Sequence, residues 1–328
     1  MQKRILGKTG FEISPVSLGS WQVGGRWGSA FDKKNAHNIL QTAVDSGVNF
    51  IDTADVYSDG ESEGAVGRFI KTRSERIYVA TKCGRQIQPH VNEGYTVAVL
   101  RKYVEDSLLR LQVDTIDLIQ LHCPPTQVYY RPEIFALFDD LKKEGKIQFL
   151  GVSVEKVEEA LKAIEYDNVA TVQIIFNMFR QRPSDLFFKE AKGKNIGIIV
   201  RVPLASGLLS GRYSSATTFE AGDHRHFNRQ GAAFDKGETF SGVDYETGLL
   251  AVNALKEVFP ANSDLAVAAL QWILRFEEVG TVIPGASRPE QVVANMSVLN
   301  APSFEEPIME SVRAVYEKYI KPQVHQLW

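Results

Sequence analysis

Four side chains able to move a proton and polarise a carbonyl stand in the first half of the chain: Asp52, Tyr57, Lys82 and His122. A tyrosine phenol has an ordinary pKa of about 10 and is a poor acid at neutral pH until something stabilises its phenolate. A lysine ammonium within ~4–6 Å lowers such a pKa by one to three units, towards the range a general acid needs. Asp52 would hold Lys82 charged and aimed, because an ammonium buried alone tends to lose its proton. His122 can donate a hydrogen bond to the same substrate oxygen and stabilise the charge that develops on it. Together the four suit carbonyl reduction. Taken singly, each reads as well as a cap, a core polar group or a solvated side chain, so their placement decides. Asp55 competes with Asp52 but lies later in its loop, and Glu61, His90 and Tyr95 stand nearby without an assigned role.

The elements that must position them are short β-branched runs alternating with amphipathic stretches at a spacing of roughly 30 residues, the rhythm of βα units. Eight runs qualify: residues 16–20, 48–55, 77–82, 116–122, 147–153, 171–177, 196–203 and 281–285. Several are almost wholly apolar, as parallel strands buried on both faces should be. Between them, Leu100, Val104, Leu108 and Leu111, and later Leu265, Ala269, Trp272 and Phe276, recur at helical spacing. Eight strands and eight crossovers predict one (β/α)8 barrel over residues 1–328. An open doubly wound sheet is the rival, but its G-x-G-x-x-G fingerprint is absent. In a barrel, the site lies at the C-terminal strand ends. Asp52 ends the second run with Tyr57 just beyond, Lys82 ends the third and His122 the fourth, so neighbouring strands should bring them together. The N-terminal RILGKTGFEIS has hairpin character, turning at Lys8, Thr9 and Gly10, and is expected to plug the barrel bottom. Residues 210–242, after the seventh strand, read as a long loop, with closure over a cofactor expected from its length and from Arg212 at its start.

Composition narrows the partners. The 328 residues are 44% hydrophobic and 23% charged, with a formal net charge of -3, which gives no electrostatic reason to bind nucleic acid or an anionic membrane. No stretch approaches the ~18 apolar residues of a membrane span, and the first residues lack the apolar core of a signal peptide. A cytoplasmic protein acting on small molecules is expected. Two cysteines, Cys83 and Cys123, are too few for a disulfide framework and read as reduced thiols that alternation points away from the barrel mouth.

The segments IDTADVYSDGESE, ATKCG, IDLIQLHCP, GVSVEKVEEAL, VPLASGLLSGRY and IPGASRPEQVVANM resemble, in order and over nearly the whole chain, the signatures of the aldo-keto reductase superfamily. The pattern is most similar to the bacterial and plant branch that includes relatives of potassium-channel β-subunits. The resemblance implies that Asp52, Tyr57, Lys82 and His122 form the family's catalytic tetrad. It also implies an NADP(H) cofactor bound without a Rossmann fold. Ser153 and Gln173 resemble positions that bond the nicotinamide carboxamide, and Phe176 occupies the place of a ring stacked on it. Val154 stands where the family usually has Asn, with the loss of one hydrogen bond. Pro203, Leu204, Ser206, Gly207, Leu208 and Arg212 resemble the turn around the pyrophosphate. Ser287 and Glu290 have capping-box spacing at a helix start whose N–H groups favour a phosphate, and Gly285 permits close approach. Arg288 is expected on the 2′-phosphate, with Gln291 and Asn295 facing the adenine and NADPH preferred over NADH.

Trp21, Trp27, Tyr129, Tyr130 and Trp328 are expected to line an aromatic substrate pocket. His224 and His226 form a His-x-His pair, but inside the long loop and not on a strand, so no metal is expected. The reading is an enzyme reducing aldehydes, and some ketones, to alcohols. The alternative is a cofactor-holding regulatory subunit with slow turnover, and the oligomeric state is left open.

Overall fold

A computed structural model describes residues 2–25, 30–302 and 304–328. An antiparallel hairpin comes first, β1 (Arg4–Ile5) with β2 (Glu12–Ile13). Eight parallel strands follow: β3 (Leu18–Gly19), β4 (Phe50–Asp52), β5 (Tyr78–Cys83), β6 (Ile116–His122), β7 (Ile147–Ser153), β8 (Val169–Ile175), β9 (Gly197–Arg201) and β10 (Val279–Val282). They pair in chain order from β3 to β10. The ring is closed by parallel bridges Val16↔Val282 and Gly19↔Gly285, with Ser17 N–H donating to the Val282 carbonyl at 2.9 Å. The fold is a (β/α)8 barrel.

The strands form because their runs are apolar on both faces. Inward residues fill the barrel and outward residues meet the helices. Helix starts are set by side chains that take up free N–H groups: Asp32 before Lys33–Asp45, Thr96 before Val97–Leu111, Asp244 before Tyr245–Val258 and Asp264 before Leu265–Leu274. The hairpin seals the N-terminal end of the barrel, where Leu6, Phe11 and Ile13 pack with Phe50, Ala80, Leu118, Ile199 and Ile283. Gly197 and Gly280 make room for it, since a Cβ on either would fall 2.7 or 2.8 Å from the Leu6 side chain.

The long segment after β9 contains one short helix, His224–Phe227, and 3₁₀ turns at Lys236–Glu238 and Phe240–Gly242. Its last part lies across the strand ends as a strap. Ser206 Oγ donates to the Glu238 carbonyl and accepts from Phe240 N–H, both at 3.1 Å, and Asn177 Nδ2 reaches Ser241 Oγ at 2.8 Å.

Candidate active site

The C-terminal ends of β4, β5 and β6 bring the four expected residues together. Lys82 and Asp52 are each 1% exposed, and Lys82 Nζ donates to Asp52 Oδ1 at 2.5 Å, to the Thr53 carbonyl at 2.9 Å and to Tyr57 Oη at 3.1 Å. The three ammonium protons therefore have three acceptors. The other Asp52 oxygen accepts from Gln120 Nε2 at 3.0 Å and Gln173 Nε2 at 2.8 Å. Asp52 is thus fixed from three strands. Tyr57 is held over Lys82 by a coil in which Ser58, Asp59 and Gly60 are all left-handed, at φ 48°, 53° and 85°. Two non-glycine residues in that region store strain, as site-forming loops often do. The His122 ring meets Tyr57 edge-on, with centroids 6.0 Å apart at 82°.

Burial raises the Tyr57 pKa above its ordinary value, outweighing the lowering by Lys82, whose charge is largely spent on Asp52. The expectation of a depressed phenol is therefore corrected. Tyr57 rests protonated, with the Lys82 ammonium in hydrogen-bond reach of its oxygen. Burial works to lower Lys82, yet Asp52 and Tyr57 hold it above its usual value. His122 is pushed well below 6.5 by burial, with Arg85, Lys82 and Arg201 adding to the effect. Its imidazole is neutral, and its buried Nδ1 has no hydrogen-bond partner among the described residues.

Asp55, buried behind the tetrad, has no partner for either carboxylate oxygen among the described residues. Burial and then Glu63 push it up to about 7, against Arg110 and Lys82. Its folded pKa exceeds its unfolded value, so the stability it contributes is complete at low pH and is lost as pH rises through 7. Asp55→Asn should gain about 2 kcal/mol more stability at about pH 8.5 than at about pH 5, measured by urea unfolding. Equal gains at both pH values would contradict the buried ionisation.

Several expected cofactor residues gather at the same end. Ser153 lies in register between His122 and Gln173. Gln173, however, has its amide donor committed to Asp52, as given above. Phe176 is not in the mouth. Counting from inward Gln173, position 176 points outward, and its ring packs on Phe188, Trp272 and Phe276 at centroid distances of 4.7, 5.0 and 4.8 Å. Pro203, Leu204, Ser206, Gly207 and Leu208 lie on the turn after β9, where Ala205, Ser206 and Gly207 are left-handed in succession. Arg212 is mostly exposed and 3.8 Å from Asp264.

Gly285 sits beside Gly19 on the other side of the mouth. The expected capping box does not form. Pro289 takes the first helical position of Pro289–Met296, so Arg288 is the N-cap and Glu290 comes one residue too early. Gln291 Oε1 instead accepts from Ser287 N–H at 2.7 Å, and Asn295 Nδ2 lies 3.5 Å from the Gly285 carbonyl. Arg288 is exposed and only loosely paired, 3.9 Å from Glu290.

Cys123 corrects a second expectation. It leaves β6 with φ 46°, which breaks the alternation, and its sulfur lies 3.4 Å from Ser153 Oγ and 3.6 Å from Arg201 Nη2. Burial raises its thiol well above the usual range and leaves it unreactive. Of the expected aromatics, Tyr130 is exposed, whereas Tyr129 is buried and donates to the Ser153 carbonyl at 3.3 Å. Trp328 is buried under the strap, Trp21 packs on His224 at 4.9 Å, and Trp27 lies outside the described residues.

The sequence reading missed a charged cluster at the mouth. Arg85 Nη1 donates to Glu238 at 2.9 Å, and Arg201 Nη2 donates to Glu155 at 2.8 Å and to the Val154 carbonyl at 3.0 Å. Burial pushes Glu155 up, with Glu238 adding to it against Arg201. Glu238 stays low because Arg85 and Arg201 together offset its burial. Arg201 ends β9, Arg85 and Glu155 lie just past β5 and β7, and Glu238 is in the strap. Position relative to the strands was the one signal that pointed to them.

A (β/α)8 barrel with a lysine-supported tyrosine and a neutral histidine at its C-terminal end is an arrangement that can present a phenol O–H and an imidazole to one bound group. The sequence model of the aldo/keto reductase family matches residues 15–317, and the chain belongs to that family. It is 30% identical over 329 residues to the uncharacterized oxidoreductase YqkF of Bacillus subtilis, covering 99% of each chain. It is 27% identical to the NADH-specific methylglyoxal reductase of Escherichia coli, covering 92% of this chain and 94% of that one. The aldo-keto reductase AKR11C1 from Bacillus halodurans, in its holo form, has a similar structure, with a TM-score of 0.77, 26% identity and 99% of both chains covered. Among the described residues, no helix is long and apolar enough to cross a membrane.

Proposed function

We propose that this protein reduces aldehydes to alcohols with NADPH, using Tyr57 as the proton donor. The observation that carries the reading is the Lys82 ammonium bonded at once to Asp52, the Thr53 carbonyl and Tyr57 Oη. His122, neutral, donates an N–H to the carbonyl oxygen and orients it beside the phenol. Tyr57 then delivers its proton to that oxygen, and Lys82 carries the charge of the phenolate. Asp52 keeps Lys82 protonated throughout, while Gln120 and Gln173 keep Asp52 in place.

The donor set fits a dinucleotide phosphate. Two exposed guanidinia, Arg212 and Arg288, keep only long contacts to carboxylates, and the Pro289–Met296 helix start lies beside Arg288. Ser153 would bond the carboxamide, the turn from Pro203 to Leu208 would follow the pyrophosphate, and Gln291 and Asn295 would face the adenine. The bound cofactor supplies the hydride.

The reading is tested by NADPH consumption with benzaldehyde, repeated with NADH. NADPH should be favoured, and Arg288→Ala should lower kcat/KM for NADPH by about tenfold to a hundredfold while leaving the NADH value nearly unchanged, as expected of a lost charge-assisted fork. Equal losses with both cofactors would refute the 2′-phosphate role. Tight NADPH binding without turnover would shift the reading to a regulatory subunit.

A further inference from the structure

Arg180 lies on the turn after β8, where its backbone pairs with Asn177 at 2.8 and 3.3 Å. Its side chain is 3% exposed, yet Nε, Nη1 and Nη2 all lack a hydrogen-bond partner among the described residues. The Trp328 ring covers one face at 4.2 Å, and the strap backbone lies so close that a Cβ on Gly237 would meet Nη2 at 2.2 Å. A ring face replaces little of the hydration that a buried guanidinium gives up. Burial lowers Arg180 to about 9, against Glu155 and Asp235, so it stays charged at neutral pH.

Its neighbours lead back to the catalytic end. Glu155 and Arg201 act electrostatically on Arg180, and Arg201 reaches Cys123, the residue after His122. Arg201 Nε and Glu155 Oε1 are also buried without hydrogen-bond partners. The strap supplies the compensating acids: Glu238 on Arg85, and Asp235, which accepts from Trp328 Nε1 at 2.8 Å. An unpaired planar fork beside a second guanidinium is the arrangement that takes a carboxylate through two parallel hydrogen bonds.

We propose that Arg180 is the receptor for a carboxylate carried by the carbonyl substrate. The inference rests on the reductase reading and names its substrate class. Arg180 follows β8 and His122 ends β6, with β7 between them in the sheet, a separation of about 10 Å at the usual strand spacing, so the carboxylate and the carbonyl belong at opposite ends of the substrate, as in an ω-oxo acid or a para-substituted formyl arene. 2-Oxo acids, with the two groups adjacent, do not fit that separation.

The test compares 4-formylbenzoate with its neutral methyl ester, using the full-length chain and NADPH. The wild type should favour the acid by about tenfold to a hundredfold in kcat/KM, and Arg180→Gln should bring that ratio close to one. Arg180→Lys, which keeps the charge but loses the fork, should fall between and guards against a Gln variant that does not fold. A wild type without preference for the acid, or equal losses on both aldehydes in Arg180→Gln, would overturn the proposal. If neither aldehyde is reduced, the reductase reading fails by itself and calorimetric titration with 4-formylbenzoate decides the site. Saturable binding lost in Arg180→Gln sustains it, and no binding overturns it.

Discussion

Replacing Tyr57 by phenylalanine is expected to lower kcat for aldehyde reduction by about 10²–10⁴-fold, the range for removal of a positioned general acid. The substitution takes away one oxygen and little else. The ring keeps its edge-on contact with His122 and its place 4.8 Å from the Lys82 ammonium. Cofactor affinity, measured by fluorescence titration with NADPH, should therefore change little. Lys82 loses one of its three acceptors but keeps Asp52 and the Thr53 carbonyl, so folding should persist. A fall of less than about threefold would mean that the proton comes from another group, with His122 the nearest candidate.

The second large effect concerns the buried ion pair. Lys82→Met removes the ammonium and leaves Asp52, 1% exposed, with the two glutamine amides as its side-chain donors among the described residues. Breaking a buried pair from one side costs about 3–5 kcal/mol, because the surviving charge is uncompensated. Thermal or urea unfolding should show a loss of that size. Adding Asp52→Asn to Lys82→Met should return much of the lost stability without restoring turnover, so the two changes are strongly non-additive. A Lys82→Met variant within about 1 kcal/mol of wild type would show that Asp52 sits in its network protonated or solvated, contrary to the geometry.

The gathering of Asp52, Tyr57, Lys82 and His122 was legible in the sequence because three of them end strands or sit at a strand end and Tyr57 follows close behind Asp52, and strand ends are fixed by runs of apolar residues that are easy to see. The barrel followed from counting such runs, and the hairpin plug from the Gly10 turn. Residues whose roles depend on side-chain direction were less legible. Phe176 is placed against the nicotinamide by the resemblance alone, but alternation from Gln173 sends it outward among Phe188, Trp272 and Phe276. Cys123 failed the other way, since its left-handed backbone cancels the alternation that would have turned it aside. The capping box at Ser287 and Glu290 depended on where the helix begins, and Pro289 moved that start by one residue. The direction of the Tyr57 shift was misjudged because burial, invisible in sequence, outweighs the neighbouring ammonium. The cluster of Arg85, Glu155, Arg180, Arg201 and Glu238 had no sequence motif, only the position of several members at or just past strand ends. Its members come from a strand end, separate loops and the strap, a meeting that spacing cannot reveal.

The proposed reaction is hydride transfer to a carbonyl with protonation by Tyr57. The most direct test is reduction of benzaldehyde with NADPH deuterated at nicotinamide C4, with the alcohol analysed by mass spectrometry and NMR for wild type and Tyr57→Phe. Deuterium on the carbinol carbon, formed by wild type and nearly abolished in the variant, is the predicted result; no labelled alcohol despite bound NADPH, or equal label from both proteins, would contradict the account.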